Sequence, residues 1–255
     1  MRYKSILLIW LVVLCAGSTF SQHSKFITSG TVEYDKTANM FALVKKKVTK
    51  STLDMKPHYE EYLRDQPQFI IRKSTLAFDN NTSLFTPIKG EGIYWTYDSP
   101  MANQINIVYS DFNSKKNTIQ KEFYERTFLV QDTLRKIKWK LTDETRIIAG
   151  YNCRRANGLL LDSIYVVAFY TDDIHISGGP ESFNGLPGMI LGVAVPHENV
   201  TWFATKVTEV KVPEKDFIPP TKGKPVDNKQ LKTILLAAMK DWGQYAQPEL
   251  KAFSL

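Results

Sequence analysis

The chain has 255 residues, of which 43% are hydrophobic and 12% aromatic, and its formal net charge is +7. This length predicts one domain with short appendages, and the composition supplies a sizeable core, which excludes global disorder. Beyond the N-terminus, no apolar run approaches the ~20 residues that a membrane-spanning helix needs. The basic residues lie on alternating, solvated segments, so we predict no nucleic-acid partner.

The N-terminus has the pattern of a secretion signal. Arg2 and Lys4 precede an unbroken apolar run at 6–15, which is too short to cross a bilayer. Small residues then offer two cleavage positions, after Ser18 or after Ser21, and we favour Ser21. The sequence therefore predicts an exported protein with no transmembrane span after signal cleavage.

Signal cleavage would also remove one of the two cysteines. Cys15 leaves together with two basic and no acidic residues, so the mature chain has a net charge of about +5. Cys153 then has no intrachain disulfide partner. The stability of the protein must therefore come from its hydrophobic core.

The first part of the mature chain predicts two strands and a helix. The strands are residues 29–34 and 39–49, around a turn at 35–37. Residues 54–65 predict a short helix, because Asp54 suits its N-cap and Pro57 suits its first turn.

From residue 69 to about residue 212, apolar and β-branched runs alternate with short polar turns. The predicted strands are 69–79, 82–88, 104–109, 118–131, 134–141, 145–149, 152–161, 164–170, 189–195 and 200–210. Consecutive strands with short turns favour antiparallel pairing. We therefore predict a mainly β fold with minor α, an antiparallel meander curled into an open or partial barrel.

The composition changes after residue 212. Several prolines mark residues 213–226 as an extended linker, and Asp227 is a candidate N-cap for an amphipathic helix. The apolar stripe of this helix contains Leu231, Ile234, Leu235, Ala238 and Trp242.

These observations divide the chain into four parts. They are a signal peptide (1–21), an antiparallel β domain (22–212), a proline-rich linker (213–226) and a C-terminal helix packed on the domain (227–255). The alternative for the helix is that its apolar face binds a partner.

The most distinctive sequence lies in a loop at 172–188. Pro187 followed by Gly188 predicts the centre of a type II turn, since proline fixes φ near −65° and glycine accepts positive φ. The run that follows, 189–195, predicts a strand buried on both faces. The turn either fixes this chain reversal or presents backbone amides at a binding edge.

The segment 145–195 contains three distinctive short motifs, which are Gly-Tyr-Asn-Cys-Arg-Arg-Ala at 150–156, Ala-Phe-Tyr-Thr at 168–171 and Gly-Leu-Pro-Gly-Met-Ile at 185–190. With these motifs the segment resembles the GLPGLI family of exported Bacteroidetes proteins, which is named for the last of them. The resemblance implies an envelope protein without established activity, often encoded near TonB-dependent outer-membrane systems. It also implies that Thr133 and Ser163, each following an aspartate, resemble acceptors of O-glycosylation.

Enzymatic chemistry has weak support in the sequence. A thiol enzyme would use Cys153 with His175 as its base, but Cys153 lies inside a predicted strand, which favours a buried, inert thiol. No Gly-x-Ser-x-Gly elbow, phosphate-binding glycine loop or metal-ligand spacing occurs. We predict no catalytic residue, no metal and no cofactor.

We therefore predict a non-enzymatic protein of the periplasm or the inner face of the outer membrane. It would bind an apolar ligand, a peptide or an outer-membrane partner through the concave face of its sheet, with Tyr94, Trp95 and Tyr97 as further lining aromatics. The predicted binding residues are Tyr151, Tyr170, Phe183, Gly185, Leu186, Pro187 and Gly188. The alternatives are an exported hydrolase or redox enzyme that uses Cys153 and His175, and a purely structural partner of an outer-membrane transporter.

Overall fold

The computed structural model describes residues 26–47, 56–88, 99–104, 106–161 and 163–255. The predicted signal peptide at 1–21 lies outside the described residues. So do the predicted helix cap Asp54 and the aromatic residues Tyr94, Trp95 and Tyr97.

The described residues form one large sheet. Its strands are β1 (Gly30–Asn39), β2 (Phe69–Phe78), β3 (Thr82–Pro87), β4 (Asn106–Asp111), β5 (Lys116–Phe123), β6 (Arg126–Thr133), β7 (Lys138–Ile148), β8 (Tyr151–Leu160), β9 (Ile164–Thr171), β10 (Met189–Val195), β11 (Val200–Glu209) and β12 (Lys224–Val226). Within the described part of the chain, these twelve strands lie in the order β12-β6-β5-β4-β3-β2-β1-β11-β10-β9-β8-β7. Neighbouring strands are antiparallel, except that β12 runs parallel to β6.

This topology consists of two meanders joined by β1. Strands β2 to β6 form one meander and β7 to β11 the other, and β1 pairs with β2 on one side and with β11 on the other. The sheet ends at β7 and β12 and does not close. The prediction of a mainly β, antiparallel and open architecture is confirmed.

Alternate side chains of the sheet contribute to the hydrophobic core. Along β1, alternate side chains from Val32 to Ala38 are buried, as the two-residue period of a strand requires. Pairing shifts between Glu33 and Tyr34, between Ile190 and Gly192, and between Leu141 and Thr145. Such bulges bend a strand and increase its twist.

Helices occupy the connections and the C-terminus. They are α1 (Met40–Lys47), α2 (Lys56–Asp65), α3 (Pro100–Asn103), α4 (Asn228–Ala238) and α5 (Ala246–Ser254). Short 3₁₀ turns lie at Pro196–Glu198, Glu214–Asp216 and Gly243–Tyr245. No helix in the described ranges is long and apolar enough to cross a membrane.

The predicted strand at 39–49 is wrong, because this segment is mostly the helix α1. Met40, Leu43 and Val44 are buried at helical spacing, and the side chain of Asn39 accepts a hydrogen bond from the Ala42 amide at 3.2 Å. The turn predicted at 35–37 is also wrong, since β1 continues through it.

The predicted strand at 118–131 is in fact the hairpin of β5 and β6. Its turn lies at Tyr124, whose φ of 51° is in the left-handed region. Tyrosine gives no turn signal of the kind that glycine, asparagine or proline gives. Conversely, the strands predicted at 134–141 and 145–149 are largely one strand, β7, which continues through its irregularity.

The C-terminal helix begins where it is predicted to begin. Asp227 accepts a hydrogen bond from the Gln230 amide, and the Gln230 side chain accepts one from the Asp227 amide, which is a complete capping box. The predicted linker at 213–226 contains β12, which pairs with β6. The proposed division of the chain into domains stays a prediction.

Candidate functional site

The loop at 172–188 packs against the sheet. Phe183 and Leu186 are each 2% exposed, and the Phe183 ring lies 5.8 Å from the Trp202 ring. Trp139 on β7 donates a hydrogen bond to the Asn184 carbonyl at 2.9 Å, so the edge strand holds the loop from the outside. Phe183 and Leu186 are therefore part of the hydrophobic core.

Position 188 requires glycine because of a close backbone contact and not because of a positive φ. The φ of Gly188 is outside the left-handed region, whereas the φ of Gly185 is +93°. A Cβ on Gly188 would lie 2.0 Å from the Thr171 carbonyl oxygen. The prediction of a type II turn with Gly188 at its positive-φ position is wrong, and the glycine is required because two backbones meet there.

Helix α5 packs against β5. The Phe253 ring packs 4.7 Å from the Phe123 ring of β5. Lys121 donates a hydrogen bond to the Phe253 carbonyl at 3.0 Å, and Arg135 donates one to the Ser254 carbonyl at 2.7 Å. Cations at the carbonyl end of a helix offset its dipole and satisfy its last acceptors.

A group of charged side chains lies near the end of this helix; three of them are buried and Arg135 is half-buried. We call Lys36, Lys121, Arg135 and Glu181 the interior charge cluster. Glu181 has a φ of 51°, and its carboxylate accepts a hydrogen bond from the Asn106 side chain at 2.9 Å. A positive φ strains the backbone of a non-glycine residue, and a folded protein retains this strain only where the surrounding contacts enforce it.

Burial dominates the electrostatics of this cluster. It lowers the pKa of Lys121 to about 7, with a further lowering by Arg135, and it lowers the pKa of Arg135 to about 10. It also lowers the pKa of Lys36. The carboxylate of Glu181 raises all three pKa values, so it is a shared counter-charge.

An open cavity of about 940 Å³ lies at one end of the sheet. The antiparallel pairing brings its parts together, because Gly30 pairs with both Phe78 and Glu209, and Thr82 pairs with Asp111. Its lining residues are Thr28, Ser29, the turn 79–82, Tyr109, Asp111, Asn113, the segment 209–212, Glu214 and Phe217. We call it the rim cavity.

Two similar turns form the polar wall of the rim cavity. Asp79 accepts hydrogen bonds through Oδ1 from the amides of Asn81 and Thr82, at 2.9 and 2.7 Å. Asp111 accepts them through Oδ1 from the amides of Asn113 and Ser114, at 2.9 and 3.0 Å. Both carboxylates are therefore fixed by their own turns.

At neutral pH the rim cavity contains a hydrogen-bond donor, the Tyr109 phenol, beside an acceptor, the Asp111 carboxylate. The Ser114 amide is the largest cause of a lowered pKa for Asp111, which is therefore a carboxylate at neutral pH. Burial, then Asp111 and Asp79, raise the pKa of Tyr109, so its phenol keeps the proton. A phenol donor next to fixed carboxylate acceptors can hydrogen-bond the hydroxyl groups of a ligand.

The residues predicted to bind a ligand lie elsewhere. Tyr170, Phe183, Leu186 and Gly188 are buried, Tyr151 is half-buried, and Gly185 and Pro187 are exposed. None of these seven belongs to the lining of the rim cavity. Their role in binding stays a prediction.

The thiol required by the enzymatic alternative is buried. Cys153 is 0% exposed, and burial raises its pKa to about 12, so it is protonated at neutral pH. His175 is exposed, and its ring lies 3.9 Å from the Phe26 ring. This environment does not support a nucleophilic thiolate.

Two further predictions concern modification and metal binding. Thr133 and Ser163 are both exposed at the ends of strands, and their glycosylation stays a prediction. Across the described residues, no three side chains of His, Cys, Asp or Glu are grouped so that they could hold a metal ion.

Sequence reasoning missed both the rim cavity and the interior charge cluster. The rim cavity combines segments far apart in the chain, and one signal marks it, the repeated Asp-x-Asn followed by Thr or Ser at 79–82 and 111–114. The cluster gives no local signal, because each member comes from a different strand or loop.

The fold and these sites define a class of protein. It is a mainly β protein whose described residues form one open, mainly antiparallel sheet, with the loop at 172–188 and the C-terminal helix α5 contributing side chains to the hydrophobic core.

Comparison with known families identifies the family of the chain. It belongs to the family described as N-glycanase peptide, N-terminal domain, whose model matches residues 103–232, about half of the chain. This match includes the motif at 185–190, and it overturns the resemblance to the GLPGLI family. No curated protein matches the chain.

Solved structures show the same fold. PNGF-II in space group C2 has a TM-score of 0.52 and 14% identity, over 81% of this chain and 32% of that chain. PNGF-II in space group P21 has a TM-score of 0.50 and 15% identity, over 81% and 33%. The chain thus spans about a third of the length of these structures, and at such identities the likeness concerns the fold alone.

Proposed function

We propose that this chain is a glycan-binding domain and that the rim cavity is its sugar site. The observation that carries the proposal is the lining of this cavity, where aspartate, asparagine, threonine and glutamate side chains surround Tyr109. Fixed acceptors and donors of this kind match the hydroxyl and amide groups of a sugar.

The family supports the class of ligand. Its description names an N-glycanase, and the chain matches the N-terminal domain of that family. Because the chain spans about a third of the matched PNGF-II structures, the proposal concerns binding and leaves the cleavage of glycans to the rest of such proteins.

The same geometry disfavours the apolar ligand expected from the sequence. Phe183 of the loop at 172–188 and Phe253 of α5 are buried against the aromatic side chains of the sheet, so they fill the space that an apolar ligand would need. The rim cavity, in contrast, is open and mostly polar. The predicted periplasmic location and the outer-membrane partner stay predictions, and nothing in the geometry favours a TonB-dependent system.

The proposal is tested by calorimetric titration of the chain with N-glycan oligosaccharides. Asn80 and Asn113 are exposed on the two turns of the rim cavity. We expect saturable binding that the double variant Asn80→Ala/Asn113→Ala weakens at least tenfold, because each lost sugar hydrogen bond costs about 1 kcal/mol.

The matched control is Asn152→Ala, which removes an exposed asparagine on β8, outside the cavity. It should bind like the wild type. Absence of saturable binding by the folded wild type, or an equal loss in the control, would contradict the proposal.

A further inference from the structure

An aromatic residue occupies a turn position that favours glycine. Tyr124 and Glu125 form the two-residue loop between β5 and β6, since Phe123 pairs with Arg126. The φ of Tyr124 is 51°, and loops of this length usually place glycine or asparagine where φ is positive. A tyrosine strains the backbone there, which indicates that its ring has a role, in packing or in binding, that glycine would not fill.

Three other aromatic rings surround the Tyr124 ring. Its centre lies 5.0 Å from the centre of Phe123, 5.5 Å from that of Trp242 and 6.0 Å from that of Phe253. The ring planes meet at 85°, 71° and 52°, so none of these three contacts is a parallel stack. We call these four residues the aromatic cluster. Its contacts fix the direction of the Tyr124 ring from β5, α5 and the segment between α4 and α5.

The aromatic cluster has a buried base and an exposed top. Phe123 and Phe253 are buried, whereas Trp242 is half-buried and Tyr124 is 59% exposed. The docking of α5 is served by the buried pair, and it leaves more than half of Tyr124 in contact with water. An exposed aromatic side chain that is already held in one direction loses little conformational entropy when a ligand binds to it. This arrangement favours a binding role.

The surroundings of the two upper rings match a sugar better than a purely apolar ligand. One face of a pyranose ring presents C–H groups that pack on an aromatic ring, while its rim presents hydroxyl groups. Exposed donors and acceptors adjoin the two rings along the chain, and they are Glu125, Arg126, Lys240 and Asp241. Side chains of these types form hydrogen bonds with hydroxyl groups.

We infer that the aromatic cluster is a second sugar site, at which a pyranose ring packs on Tyr124 beside Trp242. The choice of a sugar rests on the proposed function, whereas the position of the site does not. The turn at 111–114 of the rim cavity precedes β5, and Tyr124 follows it. The eight residues of β5 span about 26 Å, so one sugar ring cannot contact both sites.

The test is a titration of the wild type and of Asn80→Ala/Asn113→Ala with an N-glycan core oligosaccharide, followed by backbone amide chemical shifts. We expect saturable shifts at 122–126 and 240–243 in both proteins, at higher sugar concentrations than the rim cavity needs, because packing on a ring adds few directed hydrogen bonds. Sorbitol, which has no ring face, should not produce them.

The two proposals fail separately in this titration. A lack of saturable shifts at 122–126 and 240–243, or equal shifts with sorbitol, would overturn the second site. A wild type that responds only at 122–126 and 240–243 would instead overturn the proposed role of the rim cavity and leave the second site in place.

Variants at Tyr124 separate binding from packing. Tyr124→Phe keeps the ring and should bind within about twofold of the wild type, whereas Tyr124→Asn removes the ring, tolerates a positive φ and should weaken binding about fivefold or more. The control Phe69→Asn removes a ring that is 51% exposed on β2, three strands from β5, and should bind like the wild type. Equal affinities of Tyr124→Asn and Tyr124→Phe would overturn the assignment, and if Tyr124→Asn does not fold, the wild-type titration decides.

Discussion

At the scale of single residues, Lys121 links the stability of the fold to pH. Its amine is buried on β5, its pKa is lowered to about 7 from 10.5, and it donates to the end of α5. Between pH 7 and pH 10.5 the unfolded chain binds more protons at this site than the folded chain does. The free energy of unfolding therefore rises with pH through this window.

Lys121→Met should remove this rise. At pH 6 both states of the wild type are protonated at Lys121, and the buried charge costs a few kcal/mol, at about 1.4 kcal/mol per pKa unit. We expect the variant to be the more stable protein at pH 6 and to lose most of this advantage by pH 9, as measured by urea unfolding at both pH values.

Burial raises the pKa of the Cys153 thiol to about 12 in the folded chain, and because the wild type and the variant share this thiol, its effect on stability cancels in the comparison between them. The exposed-lysine control Lys206→Met should differ from the wild type by a constant amount at the two pH values. A variant that parallels the wild type from pH 6 to pH 9 would show that the Lys121 amine has an ordinary pKa.

Two glycines distinguish a steric requirement from a conformational one. A Cβ on Gly188 would meet the Thr171 carbonyl oxygen at 2.0 Å, whereas a Cβ on Gly150, with a φ of +89°, meets nothing within 4 Å. We expect Gly188→Ala to lower the free energy of unfolding by 3 kcal/mol or more and Gly150→Ala by about 1 kcal/mol, on denaturant unfolding. Equal costs would refute the packing role of Gly188.

At the scale of elements, the Phe253 ring makes an apolar contact that helps to hold α5 on the sheet. The ring is buried against Phe123. Phe253→Ala should lower the free energy of unfolding by about 3–5 kcal/mol, because it leaves a cavity at the base of the helix. Denaturant unfolding monitored by circular dichroism measures this loss.

The control for this prediction is Leu236→Ala, which removes a side chain that is 45% exposed on α4. Its cost should stay near that of other surface changes, within about 0.5 kcal/mol. A loss for Phe253→Ala no larger than this would mean that α5 does not depend on the docking of Phe253.

Elements with strong local signals were predictable, and those that depend on long-range contacts were not. The N-cap at Asp227 and the two strands on either side of the turn at 79–82 have local signals and were predicted. Helix α1 was missed because Leu43 and Val44 also suit a strand. Its contacts with α2 and β2, which the local sequence does not reveal, favour the helix over the strand. The turn at Tyr124 was missed because tyrosine seldom adopts positive φ.

At the scale of the whole molecule, alternation along the chain was enough to predict an open antiparallel sheet, but not what fills it. A sequence rich in glycine and proline at 172–188 indicates a loop, and loops usually lie at the surface. Here Phe183 and Leu186 of the loop are buried in the core, so the loop does not form the binding surface that the sequence predicted. The rim cavity and the interior charge cluster arise only when β1 joins the two meanders.

The central claim is that the chain binds a glycan at the rim cavity. The most direct measurement is the map of backbone amide chemical shifts as an N-glycan core oligosaccharide is added to the protein. We predict saturable shifts concentrated in the turns at 79–82 and 111–114 and near Tyr109, with little change in the loop at 172–188. A map without shifts, or with shifts confined to that loop, would contradict the claim.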